Sequence, residues 1–125
     1  MSSGLLERRS IADVLAAART RLARLTPAET VSAQRAGALV VDIRPAAQRL
    51  AEGGPHGVLV VERNVLEWRF DPASDARLAV AAYDLQVVVL CQEGYTSSLA
   101  AAALQQLGVW RATDVIGGWE ALRSL

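Results

Sequence analysis

The stretch VVVLCQEGYTSS, residues 87–98, decides how the rest of the chain is interpreted. An apolar run of strand length, residues 87–90, leads directly to Cys91, the only cysteine of the chain. A short loop that contains Gly94 follows, and the alanine-rich segment 97–107 then predicts a helix. This order places Cys91 where backbone N–H groups converge at the start of a helix, a position that favours a thiolate.

The overall composition predicts one folded domain and excludes several function classes. With 125 residues, 52% of them hydrophobic, and a mean hydropathy of +0.23, the chain can bury one core and is not disordered. All thirteen basic residues are arginines and thirteen acidic residues balance them, so we expect no nucleic-acid partner. The single cysteine makes no internal disulfide, and the sequence shows neither a signal-peptide pattern nor an apolar run of membrane-spanning length. We therefore expect a cytoplasmic protein with no membrane attachment.

An amphipathic helix is predicted near the start of the chain. Its apolar positions recur at helical spacing from Ile11 to Leu25, and Ser10 is a suitable N-cap residue. We interpret residues 1–25 as an extension that carries an accessory helix, and residues 26–125 as the main domain. The arginines on the polar side of this helix leave a membrane-surface or partner-binding role open.

Short apolar runs alternate with helical segments through the main domain. The runs predicted as strands are residues 38–43, 58–61, 86–90 and 114–116. The segments predicted as helices are residues 27–36, 46–52, 73–84, 97–107 (capped by Ser97 or Ser98) and the stretch after Gly117, while 64–70 predicts a loop with a turn of helix. Unalternating strands separated by helices are typical of a parallel sheet covered on both faces, so the predicted fold class is α/β.

The segments that follow the predicted strands define a candidate site. They are Arg44, Glu62–Asn64, Cys91–Thr96 and Gly117–Trp119. Parallel strands bring their carboxyl ends to one edge of the sheet, which is where open α/β folds bind ligands. We therefore expect these segments to surround one crevice that contains Cys91.

Cys91 needs assistance to act as a nucleophile, because a free thiol has a pKa of about 8.5. Loop N–H groups can supply part of it, but the loop contains no cation, and Glu93 has the wrong sign for holding an anion. The candidate cations from other strand ends are Arg44, Arg63 and Arg69. A buried structural cysteine and a phosphate-binding loop stay open as alternatives. The only histidine, His56, is expected at the opposite edge, so no Cys–His pair is predicted. One cysteine and one histidine cannot make an ordinary zinc site, so no metal site is predicted.

Four pieces of the chain follow one another in a specific order. They are VDIR at 41–44, a turn and strand at 53–61, VLCQEGYTS at 89–97 with the helix after it that ends in Leu107-Gly108, and VIGGW at 115–119. Together they resemble the rhodanese family, which implies a rhodanese-like three-layer sandwich with a parallel five-stranded sheet between helices. In that family a cysteine carries sulfane sulfur as a persulfide, and Cys91 matches its position, while Asp42 and Arg44 match a pair at a strand end. The residues that match the persulfide-binding loop are Gln92, Glu93, Gly94, Tyr95, Thr96 and Ser97.

Two loop positions depart from the family pattern. Rhodanese enzymes often carry arginine directly after the cysteine and again at the end of the loop, where this chain has Gln92 and Thr96. The longer, arginine-closed loop of the related arsenate reductases and phosphatases is absent from the sequence as well. The resemblance thus implies a sulfurtransferase that works through a Cys91 persulfide without a cofactor.

The resemblance also implies the kind of partner. A donor, either thiosulfate or a protein-borne or low-molecular persulfide, would supply sulfur to Cys91, and a thiophilic acceptor or a sulfur-carrier protein would take it. The missing loop arginines favour a donor more neutral than the thiosulfate dianion. The second hypothesis is a non-catalytic rhodanese-like module that binds a partner or senses oxidation.

Overall fold

The computed structural model describes residues 7–125. Its α-helices are α1 (Ile11–Arg19), α2 (Pro27–Arg35), α3 (Ala46–Glu52), α4 (Leu66–Phe70), α5 (Thr96–Gln106) and α6 (Gly118–Leu122). Its strands are β1 (Leu39–Asp42), β2 (Leu59–Val60), β3 (Val87–Leu90) and β4 (Thr113–Asp114), and a 3₁₀ helix, Arg63–Val65, leads into α4. No helix within this part of the chain is long and apolar enough to cross a membrane.

The strands form one parallel sheet in the order β2-β1-β3-β4. Alternate residues of β3 point to opposite faces: Val87 and Val89 pack beneath α4 and α5, while Val88 and Leu90 pack with α2 and α6. Both faces of the sheet are therefore buried, which explains why its strands are continuous apolar runs. The predicted three-layer α/β sandwich is confirmed.

The predicted fifth strand is replaced by a single bridge. Within residues 7–125 the sheet has four strands, and beyond β4 only Leu25 pairs with Val115. The Leu25 N–H donates to the Asp114 carbonyl at 3.0 Å, and the Ile116 N–H donates to the Leu25 carbonyl at 2.8 Å. Pairing stops there because Thr26 caps α2 and Pro27, its first residue, has no N–H to donate.

The helix predicted over residues 73–84 does not form, so this prediction is wrong. Successive turns occupy the segment, and two short polar side chains hold them: Asp71 Oδ1 accepts from the Ala73 N–H, and Ser74 Oγ accepts from the Ala76 N–H. Such local bonds to the backbone compete with helical hydrogen bonding. Leu78 still packs against the core, so the apolar spacing reflected burial and not a helix.

Two predictions about helix ends have different outcomes. Ser10 caps α1 in a reciprocal arrangement with Asp13, as predicted, although α1 ends at Arg19 and not near Leu25. No side chain caps α5, and the prediction that Ser97 or Ser98 does so is wrong. Both serines lie inside α5, and their hydroxyls donate to the buried carboxylate of Asp114.

Candidate active site

Cys91 lies directly after β3, at the carboxyl edge of the sheet. The residue is only 4% exposed, yet it lines a cavity of about 550 Å³ that opens at this edge. The other residues that line the cavity are Ile43, Arg44, Pro45, Gln48, Glu62, Arg63, Asn64, Gln92, Glu93, Tyr95 and Thr96. The structure thus brings together most of the segments that follow the strands. Gly117–Trp119, which were expected to border the crevice, do not line the cavity. They pack against the side of the cysteine loop that faces away from the cavity, that is, behind the loop.

The carbonyl groups of the cysteine loop are held on the side away from the cavity. The carbonyl oxygen of Cys91 accepts from the Trp119 N–H at 2.9 Å, and that of Gln92 accepts from the Glu120 N–H at 2.9 Å, so the start of α6 binds both. In a planar trans peptide the N–H points opposite to the C=O. The N–H groups that follow these carbonyls are therefore directed away from α6.

The loop supplies N–H donors to the thiol region. The Gly94 N–H donates to Cys91 Sγ at 3.2 Å. Within residues 7–125, no acceptor is bonded to the backbone N–H groups of Gln92, Glu93 or Tyr95. Successive N–H groups of this kind form a concave binding site for an anion. An anionic sulfur on Cys91 is the group that such a loop would stabilise.

The loop can lie this close to the β4–α6 turn only because both carry glycines. Gly94 has φ +83°, and a Cβ there would stand 2.8 Å from the Gly117 N atom. A Cβ on Gly118, at φ +60°, would stand 2.5 Å from the Cys91 carbonyl oxygen. Both conformations and both close approaches exclude side chains. The glycine pair therefore positions the loop from behind and does not contact the cavity.

Asp42 and Arg44 form a buried ion pair beside the cavity. Their side chains are 2% and 1% exposed, and Arg44 Nη2 lies 2.8 Å from Asp42 Oδ2. The same guanidinium donates to the Gly53 carbonyl and to Gln92 Oε1, each at 2.8 Å. Asp42 therefore neutralises Arg44, which holds Gln92 in place but is not a free cation.

The other two predicted cations have different locations. Arg63 lines the cavity and pairs with Glu67 at 2.7 Å. Arg69 does not reach the cavity, because its Nη1 donates to the Ala76 carbonyl in the irregular segment. Glu62 and Glu93 also line the cavity, so its wall carries charges of both signs with no excess of cations.

A second polar cluster, which the sequence did not predict, lies on the opposite side of the loop. Asp114 is fully buried; its carboxylate accepts from Arg24 Nε at 2.9 Å and from the Ser97 and Ser98 hydroxyls at 2.7 and 2.8 Å. Arg19 Nε donates to Ser98 Oγ at 3.0 Å. An aspartate in an apolar run and an arginine-rich extension were the only signals, and nothing in the sequence joined them.

Glu120 connects α6 to the cavity rim. Its Oε2 accepts from Gln92 Nε2 at 2.8 Å, and its Oε1 accepts from Arg123 Nη2 at 2.6 Å. The hydrogen bond from Gln92, followed by the one from Arg123, lowers the pKa of Glu120 below its usual value. Gln92 is thus held between Glu120 and the buried Arg44.

The fold and the site define a small α/β protein with one cysteine in an N–H-rich loop at the carboxyl edge of a parallel sheet. The sequence matches the model of the rhodanese-like domain over residues 26–125. The chain therefore belongs to the rhodanese-like domain family. Among curated proteins, none matches the chain significantly.

Solved structures of similar fold differ in how much of the chain they cover. A protein of unknown function from Rhodopseudomonas palustris, described as a possible tyrosine phosphatase, is 28% identical, with TM-score 0.85, over 97% of this chain and 96% of its own. The human single-domain sulfurtransferase TSTD1 is 21% identical, with TM-score 0.69, over 81% of this chain and 95% of its own. A rhodanese-related protein from Thermoplasma volcanium is 21% identical, with TM-score 0.64, over 81% and 90% of the two chains. A match over 97% must include most of the extension before residue 26, and the R. palustris protein is thus similar there too.

Proposed function

We propose that the protein is a sulfurtransferase that carries sulfane sulfur on Cys91. The observation that carries the proposal is the loop itself, which directs the Gly94 N–H to Cys91 Sγ and has further N–H groups without an acceptor in the described chain. A persulfide places its negative charge one atom beyond Sγ, inside the cavity. Membership of the rhodanese-like domain family supports the same reaction.

The proposed cycle has two displacement steps. In the first, the Cys91 thiolate attacks the outer sulfur of the donor, a new S–S bond forms, and the bond within the donor breaks. The donor leaves with that electron pair, as sulfite from thiosulfate or as a thiolate from a persulfide, and Cys91–S–S⁻ remains. In the second, an acceptor thiolate attacks the terminal sulfur, and Cys91 leaves as a thiolate. A reducing compartment such as the cytoplasm suits a cycle that must return Cys91 as a thiolate.

The charges of the cavity favour a persulfide as the donor. Thiosulfate is a dianion and needs cations, but Arg44 is neutralised by Asp42 and Arg63 pairs with Glu67. Glu93 adds a negative charge directly beside the loop. The reacting group of a low-molecular or protein-borne persulfide carries a single negative charge, so less charge has to be compensated next to Cys91. Either source would fit, and a sulfur-carrier protein could equally be the acceptor.

Intact-mass spectrometry tests the reaction. After incubation with glutathione persulfide or thiosulfate and removal of the donor, we expect the wild-type protein to gain the mass of one sulfur atom. A thiol acceptor should remove this mass, and Cys91→Ser should never gain it. Absence of the adduct with every donor would contradict the sulfurtransferase proposal and favour the non-catalytic binding or redox-sensing module.

A comparison of donors tests the role of charge. We expect Glu93→Gln to raise kcat/KM for thiosulfate roughly threefold to tenfold, since it removes a like charge beside a dianion, and to change the persulfide reaction less. Glu7→Gln, at an exposed residue outside the cavity, is the matched control and should leave both values unchanged. Equal effects of Glu93→Gln on both donors would contradict this view of donor choice.

A phosphatase is the second candidate, because the similar R. palustris protein is described as a possible tyrosine phosphatase. Phosphoryl transfer needs cations on the transferred group. Here Thr96 occupies the end of the loop, and the arginines that line the cavity, Arg44 and Arg63, are both paired with carboxylates. We therefore expect no Cys91-dependent release of nitrophenol from para-nitrophenyl phosphate. Such release, without sulfur loading, would favour the phosphatase.

A further inference from the structure

The carbonyl of Gly94 is held by two arginines that precede the main domain. Arg19 Nη2 donates to this oxygen at 2.7 Å and Arg24 Nη2 donates to it at 3.1 Å. Two cations on one loop carbonyl, directly behind a cysteine, need an explanation. The docking of α1 alone does not require that both contacts converge on the cysteine loop.

Both arginines are themselves fixed from behind. Arg24 pairs with the fully buried Asp114 through Nε and Nη2, at 2.9 and 3.3 Å. Arg19 donates to Ser98 Oγ, and that hydroxyl donates to the same carboxylate. Arg19 also lies over the ring of Tyr95, 5.7 Å from its centroid. This network fixes the position of both guanidinium groups relative to the loop.

The orientation of one peptide follows from these contacts. Since the Gly94 carbonyl is drawn back towards the arginines, the N–H of the same peptide, which belongs to Tyr95, points the opposite way. Cations on a carbonyl oxygen also polarise the peptide and make its N–H a stronger donor. Within residues 7–125 no protein group accepts from that N–H. It is therefore available to an anionic sulfur in the cavity.

The charge balance points in the same direction. Two arginines and one aspartate behind the loop leave one net positive charge there. The charged groups that face the loop from the other elements are paired: Arg44 with Asp42, Arg63 with Glu67, Arg49 with Glu62 and Arg123 with Glu120. Glu93, on the loop itself, adds a negative charge at the cavity. The cluster behind the loop is thus a source of positive charge that the front of the site does not provide.

We propose that Arg19 and Arg24 are positioning residues for Cys91, which makes α1 and the segment after it part of the active site. They act through the Gly94–Tyr95 peptide and stabilise the thiolate, taking the place of a cation within the loop, where this chain has Gln92 and Thr96. The effect on the persulfide rests on the proposed function, whereas the effect on the thiolate does not.

The test is the pH profile of Cys91 alkylation by iodoacetamide, which reads the thiolate directly because the chain has one cysteine. We expect Arg19→Gln, and more strongly Arg19→Gln with Arg24→Gln, to move the profile to higher pH and to slow alkylation at pH 7 roughly threefold to tenfold. Arg21→Gln removes an exposed arginine of the same segment and is the matched control, with no expected shift. Arg19→Lys keeps the charge and should restore most of the rate.

The outcomes separate this inference from the proposed function. A profile that stays unchanged in folded Arg19→Gln protein overturns the inference, because the arginines would then only dock α1. This single variant leaves the Arg24–Asp114 pair in place, so it keeps the test valid if the double variant unfolds. If Arg19→Gln shifts the profile but the wild type never takes up sulfur, the inference is supported and the sulfurtransferase proposal is contradicted. If the wild type takes up sulfur but Arg19→Gln does not shift the profile, the sulfurtransferase proposal is supported and the inference is contradicted.

Discussion

Two buried ion pairs hold the cysteine loop, one on each side, and they differ in how the chain builds them. Asp42 and Arg44 are two positions apart and lie beside the cavity, whereas Arg24 and Asp114 are separated by 90 positions and lie behind the loop. Asp42 also accepts from the Arg44 backbone N–H at 3.0 Å, so the first pair is a local turn at the end of β1. The second pair forms only when the extension folds onto the sheet.

The difference shows that the site is held by one ion pair that is local in sequence and by one that is long-range. The local pair has no net charge, and its arginine fixes the cavity wall through hydrogen bonds to Gln92 and to the Gly53 carbonyl. The long-range pair is part of a cluster with one excess positive charge, and that cluster reaches the loop carbonyl. Breaking each pair should therefore produce a different defect.

The largest expected effect comes from Asp42→Asn. The substitution leaves the Arg44 guanidinium buried without its counter-charge, which typically costs about 3–5 kcal/mol. Urea unfolding measures the loss in free energy. The control is Glu67→Gln, which breaks the more exposed pair with Arg63 and should cost below about 1 kcal/mol. Similar losses for the two variants would contradict the view that the Asp42 pair is fully desolvated.

Asp114→Asn should cost slightly less, about 3 kcal/mol, because Arg24 is 16% exposed and can gain some hydration. Its distinguishing effect is local. Since α1 and the following segment are tied to the domain through this carboxylate, native-state trypsin should cleave after Arg19, Arg21 and Arg24 faster than in the wild type. When the Asp42→Asn and Asp114→Asn proteins are compared at the same free energy of unfolding, Asp42→Asn should not accelerate that cleavage. Equal acceleration in both variants would show that the two ion pairs do not hold different parts of the molecule.

The same contrast explains what the sequence could predict. The VDIR segment and the cysteine loop are each one continuous stretch of sequence. Their place at the carboxyl edge of the sheet can therefore be predicted from the order of strand, loop and helix. The cluster of Arg19, Arg24 and Asp114 depends on where the extension lies, and no local pattern encodes that placement. The helix predicted over residues 73–84 is wrong because the apolar spacing alone does not show which hydrogen bonds the backbone forms. Asp71 and Ser74 accept hydrogen bonds from nearby backbone N–H groups, and these bonds compete with a helix.

Two neighbouring serines provide a finer test of the long-range cluster. The Ser98 hydroxyl both donates to Asp114 and accepts from Arg19, whereas the Ser97 hydroxyl only donates to Asp114. Each of these hydrogen bonds is to a charged group, and Ser98→Ala loses two of them where Ser97→Ala loses one, so Ser98→Ala should cost about twice as much free energy in urea unfolding. Only Ser98→Ala should also slow Cys91 alkylation, because it removes the hydrogen bond that ties Arg19 to the Asp114 cluster. The reverse ranking would remove Ser98 from the link between Asp114 and Arg19.

The smallest expected effect belongs to the rim on the cavity side and depends on pH. The hydrogen bond from Gln92, and then that from Arg123, lowers the pKa of Glu120 from its ordinary 4.5, so the folded protein binds this proton less readily than the unfolded chain. The contribution to stability is therefore complete above about pH 4.5 and is lost as the pH falls through the lowered folded value. Because Glu120 lies at the surface, the melting temperature should change only slightly.

Melting curves between neutral and acidic pH test this sign. Glu120→Gln should melt below the wild type at neutral pH, and the difference should shrink as the pH falls below 4.5, since protonated Glu120 and glutamine are then equivalent in charge. Glu7→Gln, at an exposed carboxylate with no hydrogen bond or ion pair within residues 7–125, should show no such convergence. A difference that grows in acid would mean that Gln92 is held by Arg44 alone and that Glu120 does not support the cavity rim.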